Sequence, residues 1–220
     1  MPIDNKNMKK IVIRPEYSAV APRDKNRPSA STKAAISVFK ESNVSRVCEV
    51  GCGLLANTPH ILKAFPYVIL TDSREQYNRI RERLTEISRK HNSFKIFIEC
   101  KSFQKKKLEL DGAIITNVIH ILPRREERIE VLKGVHENLK KEGIIFVNVP
   151  HSQYFYRKLV KTAIPYKDGY AMRRNDYYTF YKDISFETLK EYVEEVGFKV
   201  ERRISLPHCV AFIARKAVRK

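Results

Sequence analysis

From about residue 29 onward, short apolar runs alternate with stretches whose apolar residues recur at helical spacing. The runs are Val47 to Val50, Tyr67 to Thr71, Lys95 to Cys100, Ala113 to Thr116 and Ile144 to Val149. Continuous apolar runs bounded by turn residues read as strands buried on both faces, as in a parallel sheet. Between them the spacing predicts helices. One follows the cap candidates Ser29 to Thr32, with Ala34, Ala35, Ile36, Val38 and Phe39 on its apolar face. A second opens at Asn57-Thr58-Pro59 and ends before Pro66, and a long charged third runs from the capping box Ser73-Arg74-Glu75-Gln76 to about His91. A fourth runs from Arg124 to about Lys141 with Gly143 at its exit. The last begins at Ser185 and stops at Gly197, and a strand pair, Phe198 to Leu206 and Cys209 to Ala214, turns at Pro207-His208. Strand and helix in alternation predict an α/β domain with a doubly wound, mostly parallel sheet over residues 29–220. Residues 1–28 are basic and broken by Pro15, Pro22 and Pro28, and only Ile11-Val12-Ile13 looks like a short strand, so they read as an arm on the domain.

The first run breaks into Glu49-Val50-Gly51-Cys52-Gly53, and the second ends on Asp72. A strand, a glycine turn and a helix, with an acid at the tip of the next strand, form a nucleotide-type cofactor site. Glycines let backbone N–H groups approach the ligand, and the acid accepts from ribose hydroxyls. Gly51-x-Gly53-x-x-Ala56 also satisfies a relaxed dinucleotide fingerprint, so an NAD(P) oxidoreductase is one reading. Glu49 favours the other. A pyrophosphate gains nothing from a negative charge there, whereas a sulfonium or ammonium group does.

These residues resemble the first motif, Glu/Asp-x-Gly-x-Gly-x-Gly, of the class I S-adenosylmethionine-dependent methyltransferases, with Leu55 where the family has its third glycine. A later stretch, Asn117-Val118-Ile119-His120-Ile121-Leu122-Pro123, resembles the fourth-strand wording of the small-molecule branch of that family. The carboxy-terminal Leu-x-x-Tyr-Val-x-x-x-Gly-Phe-x-Val resembles its last helix and strand. The resemblance runs from about Arg46 to the end, outside an insertion at about 152–183. It implies a seven-stranded Rossmann-like sheet with its last strand antiparallel, and S-adenosyl-L-methionine as cofactor. Glu49, Gly51, Gly53 and Asp72 are then expected to hold the cofactor, with Asn117 near the transferring methyl. The family also implies an adenine contact just after the third strand, for which Glu99 and Ser102 are the candidates.

Charge changes the picture of the partner. Lysine and arginine number 43 against 25 acidic residues in 220, a formal net charge of +18. Such an excess favours a polyanion such as RNA, DNA or an acidic membrane surface, or else only a solvated surface. With the insertion it tips the expected acceptor toward nucleic acid, with a small molecule as the alternative. The insertion holds seven of the eleven tyrosines, interleaved with basic residues. Tyr154, Arg173, Arg174 and Tyr177 are candidates for substrate contact, by base stacking and phosphate pairing or as a lid on a flat small molecule. A homodimer through the same tyrosines is the other use of such a cluster. Against methylation of a nucleobase, neither an Asn/Asp-Pro-Pro-Tyr tetrad nor a Pro-Cys nucleophile pair occurs. If the acceptor must lose a proton, His120 and His151 stand at strand tips as candidate bases. A fold kept only for nucleic-acid binding, without catalysis, is the remaining alternative. Cysteine spacing predicts buried thiols in a reducing cytoplasm and no metal site. No apolar run reaches the ~20 residues of a membrane span, so no membrane partner is expected.

Overall fold

The computed structural model describes residues 11–18, 27–151 and 160–217. Strands β1 (Arg46–Val50), β2 (Tyr67–Asp72), β3 (Phe94–Glu99), β4 (Leu110–Thr116) and β5 (Leu139–Pro150) are parallel neighbours. Further along the chain come β6 (Ile164–Tyr166), β7 (Gly169–Arg173), β8 (Tyr178–Tyr181), β9 (Phe198–Arg203) and β10 (Cys209–Lys216). The main sheet has seven strands in the order β3-β2-β1-β4-β5-β10-β9, and β10 is antiparallel to both its neighbours. It is the doubly wound sheet that the alternation predicts. The order reverses between β1 and β4, which puts a crevice at their carboxyl ends.

Helices α1 (Ala30–Glu41), α2 (Thr58–Ala64), α3 (Arg74–Lys90), the short α4 (Cys100–Phe103), α5 (Arg125–Asn138) and α6 (Phe186–Glu195) cover both faces. Alternate side chains of one strand therefore enter different cores. Cys48 and Val50 pack with Leu132 of α5 and Leu189 and Val193 of α6. Val47 packs with Phe39 of α1, Ile61 of α2 and Leu84 of α3. Ser29 caps α1, Ser73 caps α3 and Ser185 caps α6, each accepting an N–H from three residues on.

Several boundaries differ from the sequence pattern. The helix expected to reach Lys141 ends at Asn138, whose amide donates to the carbonyls of Gly134 and Phe103, and Leu139 already pairs with Leu110 in the sheet. The third strand yields one residue earlier than expected, because Cys100 opens α4. Ile11 to Ile13 is not a strand: only Ile13 bridges, to Tyr178.

The largest difference is in the insertion. Its described part forms a second sheet, β6-β7-β8, antiparallel throughout. This sheet is pinned to the main domain by Arg128 of α5, whose fully buried guanidinium donates to both oxygens of Asp168 at 2.6 and 2.8 Å and to the Leu122 carbonyl. The N–H of Lys182 donates to the His120 carbonyl beside it. Among the described residues no helix is long and apolar enough to cross a membrane.

Candidate active site

The glycine turn after β1 is built by backbone conformation. Gly51 and Gly53 have φ of +69° and +54°, in the left-handed region that favours glycine. A Cβ on Gly51 would lie 2.4 Å from Val118 Cγ2, so the turn also needs the empty space. Leu55, at the third glycine position of the motif, keeps the left-handed backbone with φ of 59°. Its side chain is wholly buried in the core under α1 to α3, and that burial offsets the strain of about 1 kcal/mol or more. The missing glycine therefore leaves the loop conformation intact.

Helix α3 holds the turn from the other side. Ser73 Oγ accepts from the Gln76 N–H, as a capping box requires, but the Gln76 side chain does not reach back to Ser73. Its Nε2 donates instead to the Gly53 carbonyl at 2.6 Å, and Arg83 donates to the Leu54 carbonyl at 2.7 Å. Asp72 closes the ring: its carboxylate accepts the N–H of Gly53 at 2.8 Å and of Ser73 at 2.7 Å. Burial nonetheless pushes the Asp72 carboxyl up from its ordinary value, against those two hydrogen bonds. Glu49 is buried beneath the turn and accepts one hydrogen bond, from Thr58 Oγ1 at 2.7 Å. Burial pushes its carboxyl up to about 8, with Asp72 adding a smaller repulsion. An arriving cation would reverse that balance.

A cavity of about 1000 Å³ lies between the carboxyl ends of the strands and the small sheet. Glu49, Gly51, Gly53, Asp72, Asn117, His120 and Arg174 all line it, so most of the predicted site is brought together. Asn117 sits at the tip of β4 with φ of 58°, its side-chain oxygen accepting from Asn148 at 3.3 Å. His120 is buried edge-on to the Tyr181 ring, 5.6 Å between centroids. Burial, helped by the charge of Arg128, pushes its pKa down to about 3, so the imidazole is neutral. Its Nδ1 and the Thr179 Oγ1 are buried without a hydrogen-bond partner among the described residues.

Other predicted residues fall elsewhere. Glu99 and Ser102 do not line the cavity: Ser102 is exposed on α4, and Cys100, Lys101 and Gln104 form the wall there. His151 is outside the lining and faces Asp183, with Nδ1 2.8 Å from the carboxylate. Arg173 lines an adjoining hollow of about 690 Å³, which it shares with Arg174. Tyr177 stacks at 4.4 Å on Tyr17. Tyr154 lies outside the described residues. The sequence reading missed residues 12–18 and Thr179 to Tyr181, all near or in the wall. The density of aromatic residues around Tyr178 was the one signal for the latter. The four cysteines are free thiols, and burial pushes the pKa of Cys48, Cys52 and Cys100 up.

Residues 48–145 match the sequence model of a methyltransferase domain family. No curated protein matches the chain in sequence. Solved structures of similar fold include an S-adenosylmethionine-dependent methyltransferase of Clostridium acetobutylicum, at 12% identity and TM-score 0.62 over 85% of this chain and 91% of that one. The magnesium protoporphyrin IX methyltransferase of Synechocystis PCC 6803, with bound S-adenosylhomocysteine, aligns at 12% identity and TM-score 0.59 over 85% and 82%. The 1,6-didemethyltoxoflavin N1-methyltransferase of Burkholderia thailandensis, with bound 1,6-didemethyltoxoflavin and S-adenosylhomocysteine, aligns at 18% identity and TM-score 0.63 over 89% and 82%. The match and the fold imply S-adenosylmethionine as the cofactor of this Rossmann-like sheet. Residues 48–145 thus carry a methyltransferase domain on the fold seen in S-adenosylmethionine-dependent methyltransferases, which marks the chain as an enzyme of that type. The residues fit the cofactor: the left-handed glycines expose backbone at the cavity, Asp72 offers a carboxylate at its rim, and Glu49 waits for a positive charge.

Proposed function

We propose that the methyl acceptor is a small molecule bound between Asn117, His120 and the small sheet. The observation that carries this reading is the cavity wall formed by Thr179, Phe180 and Tyr181 of β8, facing the tip of β4. Pockets of about 300–1,000 Å³ suit one small ligand, so a cavity at the top of that range suits a cofactor with a compact acceptor beside it. Two of the similar structures are named for enzymes of small acceptors, and the tetrad and nucleophile pair of base methylation are absent from the sequence. The cofactor, when bound, supplies an electrophilic methyl group. The protein's part is proximity, orientation and exclusion of water around the attacking atom.

His120 lines the cavity with its imidazole held neutral, which suits it to hydrogen-bonding the acceptor, while the same burial makes it a weak proton acceptor. Its orphaned Nδ1 and the Thr179 hydroxyl are polar groups awaiting partners, which a heteroatom-bearing acceptor supplies. His151, set against Asp183 outside the cavity lining, is the lesser candidate for a base.

The net charge of +18 supports a second reading, a nucleic-acid acceptor. One experiment separates the two. The purified enzyme is given methyl-labelled S-adenosylmethionine and the low-molecular-mass, RNA, DNA and protein fractions of a cell extract. Label is expected in the low-molecular-mass fraction, and label confined to RNA or DNA would overturn the small-molecule reading.

A further inference from the structure

The sequence reads the first residues as an arm, and nothing in the glycine motif points to them. In the structure, residues 12–18 form a strap across the mouth of the cavity. Its backbone is tied to β8 by the Arg14 N–H to the Tyr178 carbonyl at 2.8 Å and the Tyr178 N–H to the Val12 carbonyl at 3.1 Å. A 3₁₀ turn, Pro15–Ser18, then carries Tyr17 onto Tyr177, and the Arg79 guanidinium covers the other face at 4.4 Å from the Tyr17 centroid. Arg79 also donates to the Glu16 carbonyl and to Gln76 Oε1, so its donors are engaged on the strap and on α3. The strap thus joins the helix that holds the glycine turn to the sheet that covers the acceptor.

This anchoring turns the Glu16 side chain inward. The side chain is 8% exposed and lines the cavity, yet its carboxylate has no hydrogen bond among the described residues. Its only ion-pair partner there is Arg14, at 3.7 Å and half exposed. Asp72 is close enough for the Glu16 charge to raise its proton affinity. Ser18 Oγ, in the same turn, is also buried without a hydrogen-bond partner among the described residues. Two carboxylates facing one cavity repel each other, with Arg79 offsetting part of that at Asp72, and Glu16 has no hydrogen-bond donor among the described residues to compensate its burial. The arrangement becomes favourable when a ligand brings hydrogen-bond donors between them.

We infer that Glu16 is a second carboxylate of the cofactor site, accepting hydrogen bonds from the ribose hydroxyls alongside Asp72. The inference rests on the cofactor reading above and adds a residue from outside the glycine motif. It makes the strap a wall of the site, delivered only when residues 12–18 dock on β8.

Calorimetric titration with S-adenosylhomocysteine, and with adenosine as a fragment carrying the ribose but no amino-acid part, tests it. Glu16→Ala should weaken both ligands about tenfold, the scale of a lost charged hydrogen bond. Glu16→Gln, whose amide oxygen still accepts, should lose less. Tyr177→Ala, which loosens the strap and keeps the carboxylate, should fall between wild type and Glu16→Ala. The thermal midpoint of Glu16→Ala should stay at or above that of wild type, because the carboxylate makes no hydrogen bond among the described residues and its burial stabilises nothing. If Glu16 merely repels Asp72, removing it will leave affinity unchanged or raise it, and the inference fails. A loss with S-adenosylhomocysteine and none with adenosine would overturn the ribose assignment. Wild-type protein that binds neither ligand would instead refute the cofactor reading on which the inference stands.

Discussion

At the amino ends of the strands, Asp111 accepts hydrogen bonds from the N–H groups of Ser45 and Arg46 and from the Ser45 hydroxyl, and pairs with Lys140 at 2.6 Å. At the carboxyl ends, among the described residues, Glu49 has a single hydroxyl donor and Glu16 has none. All three carboxylates are largely removed from water, but the charges of Asp111 and Glu49 respond in opposite ways. Burial works against Asp111 too, yet Lys140 and the donors of Ser45 and Arg46 hold its carboxyl far below the usual range. Glu49 is pushed up to about 8. The amino end spends its polar groups on joining β1 to β4, and the carboxyl end leaves its polar groups unspent. A saturated carboxylate stabilises the fold, whereas an unsaturated one is held ready for a ligand.

Breaking the saturated end should cost the most. Asp111→Ala removes the shared acceptor of the Ser45 and Arg46 N–H groups and the Ser45 hydroxyl and should lower folding stability by roughly 1.5–3 kcal/mol, measured by urea denaturation. Affinity of the folded protein for S-adenosylhomocysteine should not change. A mutant as stable as wild type would show that Asp111 is not the tie it is taken for here.

The opposite pattern is expected at Asp72. Asp72→Ala should weaken S-adenosylhomocysteine binding by roughly 1–3 kcal/mol, while folding stability moves by less than about 1 kcal/mol. Its carboxylate makes two hydrogen bonds but is itself disfavoured by burial, so the two contributions to stability oppose each other. Unchanged affinity would remove Asp72 from the site.

The last test is a slope rather than a single loss, and it sharpens the comparison through pH. The Glu49 carboxyl has a folded pKa above its unfolded value, so the folded state holds a proton that the unfolded state releases. Its contribution to stability is complete below about 4.5 and is lost as pH rises toward and through about 8. Wild-type stability should therefore fall across that window by up to about 1.4 kcal/mol per pH unit, and Glu49→Gln should flatten the decline. Denaturation midpoints of the two proteins along a pH series measure it. Parallel curves would mean that Glu49 keeps its ordinary proton affinity.

The part of the site legible from sequence is the part made by neighbours along the chain. Gly51 and Gly53 are followed within a few residues by the helix they introduce, and Asp72 ends an apolar run whose length sets it at a strand tip. Leu55 shows the limit of that reading: a motif names a residue type, but a buried leucine with a left-handed backbone fills the same place. Glu99 and Ser102 show another limit. The one-residue shift into α4 turns Ser102 to solvent and brings Cys100 and Lys101 to the wall.

By itself, then, the sequence determined the alternation of strands and helices, the glycine turn with Glu49 beneath it, and Asp72 at the next strand tip. Each follows from dihedral preference and apolar spacing, which act over a few residues. The tertiary structure alone decided that Gln76 holds the Gly53 carbonyl, that Arg128 latches the small sheet through Asp168, and that residues 12–18 dock on Tyr178 with Glu16 turned inward. Those contacts join residues 23, 40 and more than 150 positions apart, and they form only where the packed sheet brings their elements together. No local pattern encodes them, because a side chain's partner across such distances is chosen by the geometry of the core.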